Sequence, residues 1–261
     1  MTLVWLTCRE PVHIGGADSS SRGNNNPIFR LPDRAPAIPG SSLRGALRED
    51  AQNNNEYEAC VSDWFGKEGK EITPGKLAIG WGWPMWWPVH VLGYGTWWVS
   101  CLSWLTRARQ LSPGLELPSR RDTVCATHPE LGGQTVYLRW LKLKDVQHYS
   151  HPLPLPSDVP KDRCLIVPDE TINLIVDMGL VRQPRVSLLD EPDKTGSLVD
   201  NLFSVEGLPP GAVFLTSWTK RGELTEEQQQ KWPEFLHGEH YLGGLWSVGY
   251  GRIYLEKFGN G

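Results

Sequence analysis

The sequence predicts an α+β domain built from short elements and long connections. Three observations carry this. The 261 residues correspond to one large domain or two small ones, and with 39% hydrophobic residues they can bury a sizeable core. The 27 glycines and 21 prolines exceed average usage and argue against long regular helices. Extended apolar runs alternate with a few amphipathic stretches, and no repeat of fixed period appears.

Thr2 to Cys8 reads as a strand that stops before Pro11. The stretch GGADSSSRGNNNP, residues 15–27, is made of turn formers and belongs at the surface. In PAIPGSSLRGALREDAQ (36–52), Pro39-Gly40 makes a turn and Ser41 or Ser42 caps a helix. Leu43, Ala46 and Leu47 form its apolar stripe. CVSDWFG (60–66) is a short helix ending at Gly66. The block from Trp81 to Trp104 holds seven of the 13 tryptophans. No Lys, Arg, Asp or Glu lies between Lys76 and Arg107, a span long enough to cross a membrane. Pro84, Pro88, Gly80, Gly82, Gly93 and Gly95 would break a lipid-exposed helix there. Buried strand and loop are expected instead, followed by a helix over 98–111. Residues 112–160 read as irregular, with a Pro-rich patch at 151–160. Residues 164–180 read as a strand and then a helix started by Pro168-Asp169. Two extended arms, 181–190 and 197–211, flank a polar Pro/Gly turn and predict a protruding hairpin. A strand over 211–218, a Gln/Glu-rich helix from Thr225 to Leu236, and a glycine-rich loop leading into a last strand complete the chain.

The formal net charge of −4 argues against a polycation that coats nucleic acid by charge alone, but leaves room for a local basic strip. Cys8, Cys60, Cys101, Cys125 and Cys164 are odd in number and widely spaced. That pattern excludes a disulfide framework or a zinc knuckle and fits reduced thiols. The N-terminus lacks the basic region and cleavage site of a signal peptide, so a cytoplasmic protein is expected. His128, His148, His151, His237 and His240 show no metal-ligand spacing.

Two segments could carry chemistry. IPGSSLRGALR (38–48) is a tight turn feeding a helix N-terminus. Backbone N–H groups there, with the Ser41 and Ser42 hydroxyls, would hold an anion. Arg44 and Arg48 lie one turn apart and face the same way, which suits a sugar-phosphate backbone. A capped amphipathic helix with two solvated arginines explains the spacing equally well. GGLWSVGYGR (243–252) lets backbone approach a phosphate, with Arg252 adding charge and Trp246 or Tyr250 able to stack on a base. A plain turn between strands is the simpler explanation of that loop alone. It is neither a dinucleotide fingerprint nor a Walker loop, because a strand follows and no Gly-Lys-Ser/Thr is present. The Trp block could form a stacking platform, although its apolar character points to core or subunit contact.

Together these segments resemble the RAMP superfamily of CRISPR proteins, and more closely the repeated backbone subunits of type III-B (Cmr) effector complexes. PVHIGG (11–16), PIFR (27–30) followed by IPGSSLRGALR, PVHVLGYGTWWVSCLSWLTR (88–107), VRQPRVSLLDEPDKTGSLVDNLFSVEGLPP (181–210) and LGGLWSVGYGR carry the resemblance. It implies a single domain over 1–261 with a ferredoxin-like, RRM-like palm carrying insertions. A thumb β-hairpin would span about 178–212, a Trp-rich insertion about 77–111, and a glycine-rich loop 243–252. It implies guide RNA (crRNA) gripped by Ser41, Ser42, Arg44, Arg48, Arg182, Arg185, Gly243, Gly244, Gly249, Gly251 and Arg252. The partners would be crRNA, single-stranded target RNA, further copies of the chain in a filament and other subunits of the effector complex, with no membrane.

The family cuts target RNA with an aspartate two residues before the proline of P-I-x-R. Here that position is Asn25, and an amide is neither a general base nor a strong metal ligand. His13 stands at its usual place, and Asp18 or Asp33 could substitute for the acid. A divalent metal, Mg or Mn, is expected only if the chain is competent to cleave. His90 replaces an arginine usual in the family. The rival readings are a crRNA-processing endoribonuclease of the same superfamily and a Trp-rich carbohydrate-binding module.

Overall fold

The computed structural model describes residues 1–15, 25–67, 72–111, 117, 122–189, 191 and 197–259. In chain order the elements are β1 (Thr2–Cys8), β2 (Asn25–Asn26), α1 (Gly40–Gln52), α2 (Val61–Phe65), β3 (Gly66–Lys67), β4 (Thr73–Pro74), β5 (Leu77–Ile79), β6 (Trp83–Val91), β7 (Gly95–Cys101) and α3 (Leu102–Leu111). They continue with β8 (Cys125–Ala126), β9 (Val136–Leu138), β10 (Leu141–Leu143), β11 (Gln147–His148), β12 (Cys164–Val167), α4 (Asp169–Gly179), β13 (Val181–Leu188) and β14 (Val199–Gly207). The last are β15 (Val213–Lys220), α5 (Glu226–Leu236), β16 (Gly238–Tyr241) and β17 (Arg252–Lys257).

Among the described residues, ten strands form one mixed sheet in the order β11-β8-β12-β7-β6-β15-β1-β17-β16, with β5 also pairing β15. β1 is central: it runs antiparallel to β15 on one side and to β17 on the other. Its side chains alternate between two cores, as a strand buried on both faces requires. Val4, Leu6 and Cys8 enter the larger cluster with Leu43 and Leu47 of α1, Ile175 and Val176 of α4, and Phe235 of α5. Trp5 enters the smaller one with Met85, Trp86, Leu105 and Leu215. Each such side chain, fully buried, contributes roughly 1.5–3 kcal/mol.

The Trp-rich stretch supplies β6 and β7, which pair with each other inside that sheet. Pro84 is tolerated in β6 because its pairing with β15 is broken by a register shift at Val213/Phe214. The helix expected over 98–111 starts only at Leu102. Residues 98–101 are extended because β6 pairs on one side and β12, in parallel, on the other. Pairing on both edges outweighs the local helical pattern. Within 112–160, short strands β8 and β11 extend the main sheet, while β9 and β10 form a separate hairpin. That hairpin docks on the β6–β7 turn through the Leu92 N–H, which donates to the Tyr137 carbonyl at 3.0 Å.

The other elements follow the sequence reading closely. α2 ends at Gly66, whose φ of 85° suits only glycine well. α4 starts after Pro168. α5 starts at a Thr225–Gln228 capping box. β13 and β14 form an antiparallel hairpin registered from Val181↔Gly207 to Leu188↔Val199, and with β2 they make a sheet of their own. Val186, Leu188, Leu198, Val199 and Leu202 are exposed on it. No described helix is long and apolar enough to cross a membrane.

All five cysteines are buried and unpaired. Burial pushes the Cys101 and Cys164 thiols up to about 12, so neither ionises near neutral pH. His240 is buried too. It contacts the Asp50 carboxylate at 2.9 Å and the Phe235 and Leu236 carbonyls at 3.1 and 3.2 Å, which ties α1 to the end of α5.

Trp97 is 2% exposed, and its indole N–H donates to the Tyr94 carbonyl. Trp97→Ala should lower stability by about 3–5 kcal/mol in chemical denaturation. An unchanged midpoint would place Trp97 outside the core.

Candidate functional site

Residues 11–15, just beyond β1, are the place where distant parts of the chain meet. The Arg9 and Glu10 N–H groups donate to the Arg252 carbonyl, which ties the segment to β17. The Pro11 carbonyl accepts from Gly251 N at 2.8 Å, and the His13 carbonyl accepts from Gly244 N at 3.1 Å. Val12 exchanges two backbone hydrogen bonds with Leu208, at the exit of the β13–β14 hairpin. The Ile14 carbonyl accepts from Phe29 N at 2.7 Å. The His13 Nδ1 donates to the Glu206 carbonyl at 2.7 Å, which fixes the ring against the hairpin.

The glycines of the 243–252 loop divide into two pairs. Gly243 has φ 84°, and a Cβ there would fall on the His13 carbonyl oxygen. Gly251 has φ 101°, and a Cβ would sit 3.0 Å from the Leu242 carbonyl oxygen. These two let the loop seat on residues 11–15. A Cβ at Gly244 or Gly249 would meet nothing within 4 Å, while their N–H groups are spent on the His13 and Trp246 carbonyls, both at 3.1 Å. At the loop tip Trp246 is 69% exposed. Tyr250 is buried, its hydroxyl donates to Gln183 Oε1 at 3.0 Å, and burial raises its ionisation against the opposing charge of Arg185.

The base of the hairpin gathers a second set of groups. Glu206 Oε2 accepts from Ile28 N at 3.4 Å, and Oε1 pairs with Arg182 Nε at 3.3 Å. β2 runs parallel to β14, with Asn25 opposite Ser204 and Asn26 opposite Val205. The backbone at Asn25 is therefore a third strand of the hairpin sheet, three positions before Ile28, whose N–H is held by Glu206. Asp33 belongs to a different neighbourhood. Its Oδ1 accepts from Ala35 N, and its carbonyl accepts from Asn173 Nδ2 of α4. Asp18 lies outside the described residues. Among the described residues no three acidic, His or Cys side chains gather as a metal site.

α1 begins earlier than its sequence suggests. Pro39 takes the N-cap position, and no side chain caps the helix, so the expected Ser41 or Ser42 cap does not form. Gly40 is packed against the backbone of residues 79–80, where a Cβ would lie 2.9 Å from the Ile79 carbonyl oxygen. That close approach fixes the helix start and leaves Ser41 exposed and Ser42 half-buried in the first turn. Arg44 is not a freely solvated cation: its guanidinium donates to the Phe65 carbonyl at the end of α2. Arg48 lines a polar cavity of about 410 Å³ with Gln52, Glu58, Ser62 and Lys67.

A family model described as the RAMP superfamily matches residues 5–254. The chain belongs to the RAMP superfamily. Among solved structures it is similar to a type III-B Cmr-beta complex component seen by cryo-EM bound to cognate target RNA. The TM-score is 0.80 at 15% identity, over 98% of this chain and 96% of that one. It is also similar to oligomeric Cmr4 from Pyrococcus furiosus, with a TM-score of 0.68 at 19% identity over 98% of each chain. At these identities the likeness is one of fold. No curated protein matches the chain significantly.

In this RAMP chain the arginines expected to meet RNA differ in how far they are already engaged. Arg252 faces Glu10 at 3.2 Å and Glu239 at 3.9 Å. Arg182 pairs with Glu206 and also donates to the Asp177 carbonyl at 2.8 Å. Arg185 keeps a buried terminal nitrogen without a hydrogen-bond partner. Sequence reasoning missed Arg30 and Arg34, which grip the two oxygens of Asp177 at 2.6 and 2.9 Å. It also missed the surface stack in which Phe29 meets Trp81 edge-on, Trp81 stacks on Trp83, and Arg107 lies 3.8 Å over Trp83. The PIFR motif and the Trp block flagged Phe29, Arg30, Trp81 and Trp83 separately, but their meeting, and Arg34 at Asp177, depend on long-range contacts.

Gly243→Ala should destabilise the protein by more than about 1 kcal/mol, because it meets both positive φ and the His13 carbonyl. Gly244→Ala, pointing into open space, should leave the melting temperature unchanged. Equal effects in thermal denaturation would contradict this division of the loop.

Proposed function

We propose that this chain is a guide-RNA-binding backbone subunit of a type III CRISPR effector complex. The observation that carries the reading is the convergence on residues 11–15 of a glycine-rich loop, the base of a long hairpin and the segment around Asn25. In this reading the main sheet and its helices act as the ferredoxin-like palm, and β13–β14 acts as the thumb. Arg185, Arg252 and the first turn of α1 grip guide phosphates, and the absence of side chains at Gly244 and Gly249 lets the strand approach the loop. Trp246 offers a face on which a base can stack. Copies of the chain stack head to tail along the crRNA, since a heterologous contact repeats without closing. Target RNA is read by pairing with the guide rather than by the protein. The exposed apolar residues of the hairpin lie beside bases that the thumb splays out.

The rival readings have less support. A processing endoribonuclease needs a mobile His or Tyr near the glycine-rich loop. Here His13 is bound to a carbonyl and Tyr250 is buried against Gln183. A carbohydrate module needs exposed tryptophans, whereas Trp86, Trp87, Trp97 and Trp104 of the Trp-rich stretch are buried.

Cleavage by relatives of this type is metal-assisted attack of a ribose 2′-OH on the adjacent phosphate. The residues present fit a divalent cation poorly. Asn25 offers an amide where an acid is needed, and Glu206 is already held by Arg182 and the Ile28 N–H. The chain therefore binds target RNA and cuts it slowly, about 100- to 10,000-fold below an acid-bearing counterpart. Asn25→Asp in the assembled complex should raise metal-dependent cleavage at regular spacing. Full-rate cutting by the unaltered chain, abolished by Asp18→Ala or Asp33→Ala, would move the acid elsewhere in the loop.

A further inference from the structure

Four arginines from three separate segments converge on the C-terminal end of α4. Arg30 and Arg34 hold the Asp177 carboxylate. Arg182 donates to the Asp177 carbonyl at 2.8 Å, and Arg139 donates to the Met178 carbonyl at 2.9 Å. The carbonyl end of a helix attracts cations, so this anchoring is favourable. Capping a helix does not explain the whole arrangement. Arg34 has φ 68° and Arg139 has φ 51°, a region where glycine is favoured. Two of the four described non-glycine residues with positive φ are thus arginines at this one spot. Arg139 and Trp140 form the two-residue turn between β9 and β10, since Leu138 pairs with Leu141. Trp140 is 77% exposed, with the Arg139 guanidinium 5.5 Å from its ring. On the outer face of the same hairpin, Tyr137 is 43% exposed and lies under the Lys142 ammonium at 5.7 Å.

We infer that this surface, from Arg34 and Arg182 across the end of α4 to Trp140 and Lys142, binds a segment of single-stranded RNA. The inference rests on the RNA-binding reading above and adds a contact region to it. Charge points to a polyanion: Arg30, Arg34, Arg139, Arg182 and Lys142 outnumber the carboxylates of Asp33, Asp177 and Glu206. The exposed Arg34, Arg139 and Arg182 use only part of their five N–H donors on the protein and keep others for phosphate. Exposed Trp140 and Tyr137 supply stacking faces, which only unpaired bases can use. The surface is continuous with the hairpin base through the Arg182–Glu206 pair. The strand it serves is therefore one that leaves the hairpin groove unpaired.

The test is fluorescence anisotropy of a short labelled oligouridylate against the full chain at several salt concentrations. Arg34→Gly with Arg139→Gly removes two cations while relieving positive φ, which offsets the lost Asp177 and Met178 contacts, so the melting temperature should stay close to that of the unaltered chain. Affinity should fall about tenfold, and the log–log salt dependence should become shallower by about 1.4, at roughly 0.7 per charge for single strands. Trp140→Ala should weaken binding about tenfold with the salt dependence unchanged. Variants that bind like the unaltered chain overturn the inference and leave the guide-binding reading intact. Variants that keep RNA affinity but lose self-association assign the surface to a second copy and also overturn it. An unaltered chain that binds no RNA removes both readings.

Discussion

The backbone seam along residues 11–15 is the contact on which the functional geometry depends. Pro11, Val12, His13 and Ile14 accept or donate hydrogen bonds to Gly251, Leu208, Gly244 and Phe29, so the glycine-rich loop, the hairpin and the segment from Asn25 to Phe29 are held to one line. The seam is possible because Gly243 and Gly251 take backbone angles and clearances that other residues avoid. It is rigid because β1, which feeds it, lies in the middle of the sheet between β15 and β17. The buried tryptophans stiffen the same sheet from both faces.

Charge is organised on the same scale. The chain as a whole carries −4, yet Arg30, Arg34, Arg139, Arg182, Arg185 and Arg252 lie along the hairpin, the glycine-rich loop and the end of α4. Several of them are paired with carboxylates or carbonyls. This holds the side chains in place and keeps part of their donor capacity for a ligand. An acidic protein with local cationic strips avoids indiscriminate nucleic-acid binding while still gripping one strand.

Much of the fold was legible in the sequence. Pro168-Asp169 marked the start of α4, Thr225 the start of α5, Gly66 the end of α2, and the polar turn after residue 190 the hairpin. These are local signals with local causes. The start of α3 was not legible, because residues 98–101 become strand only through pairing with β6 and β12. The missing serine cap on α1 has a similar origin: the packing of Gly40 on residues 79–80 sets the helix start. In the site, His13, the glycine-rich loop and Asn25 were found from their motifs. The Asp177 cluster and the Arg139–Trp140 turn were not, since their members are more than 100 residues apart in places and share no motif.

The central claim is that the seam and its loops form a guide-RNA groove. The most direct measurement is the nucleic-acid content of the protein purified from cells that supply CRISPR transcripts. The account predicts an absorbance ratio at 260 to 280 nm well above that of a Trp-rich protein, with short RNAs of uniform length released on denaturation. Nucleic-acid-free protein that also fails to bind added crRNA would contradict it.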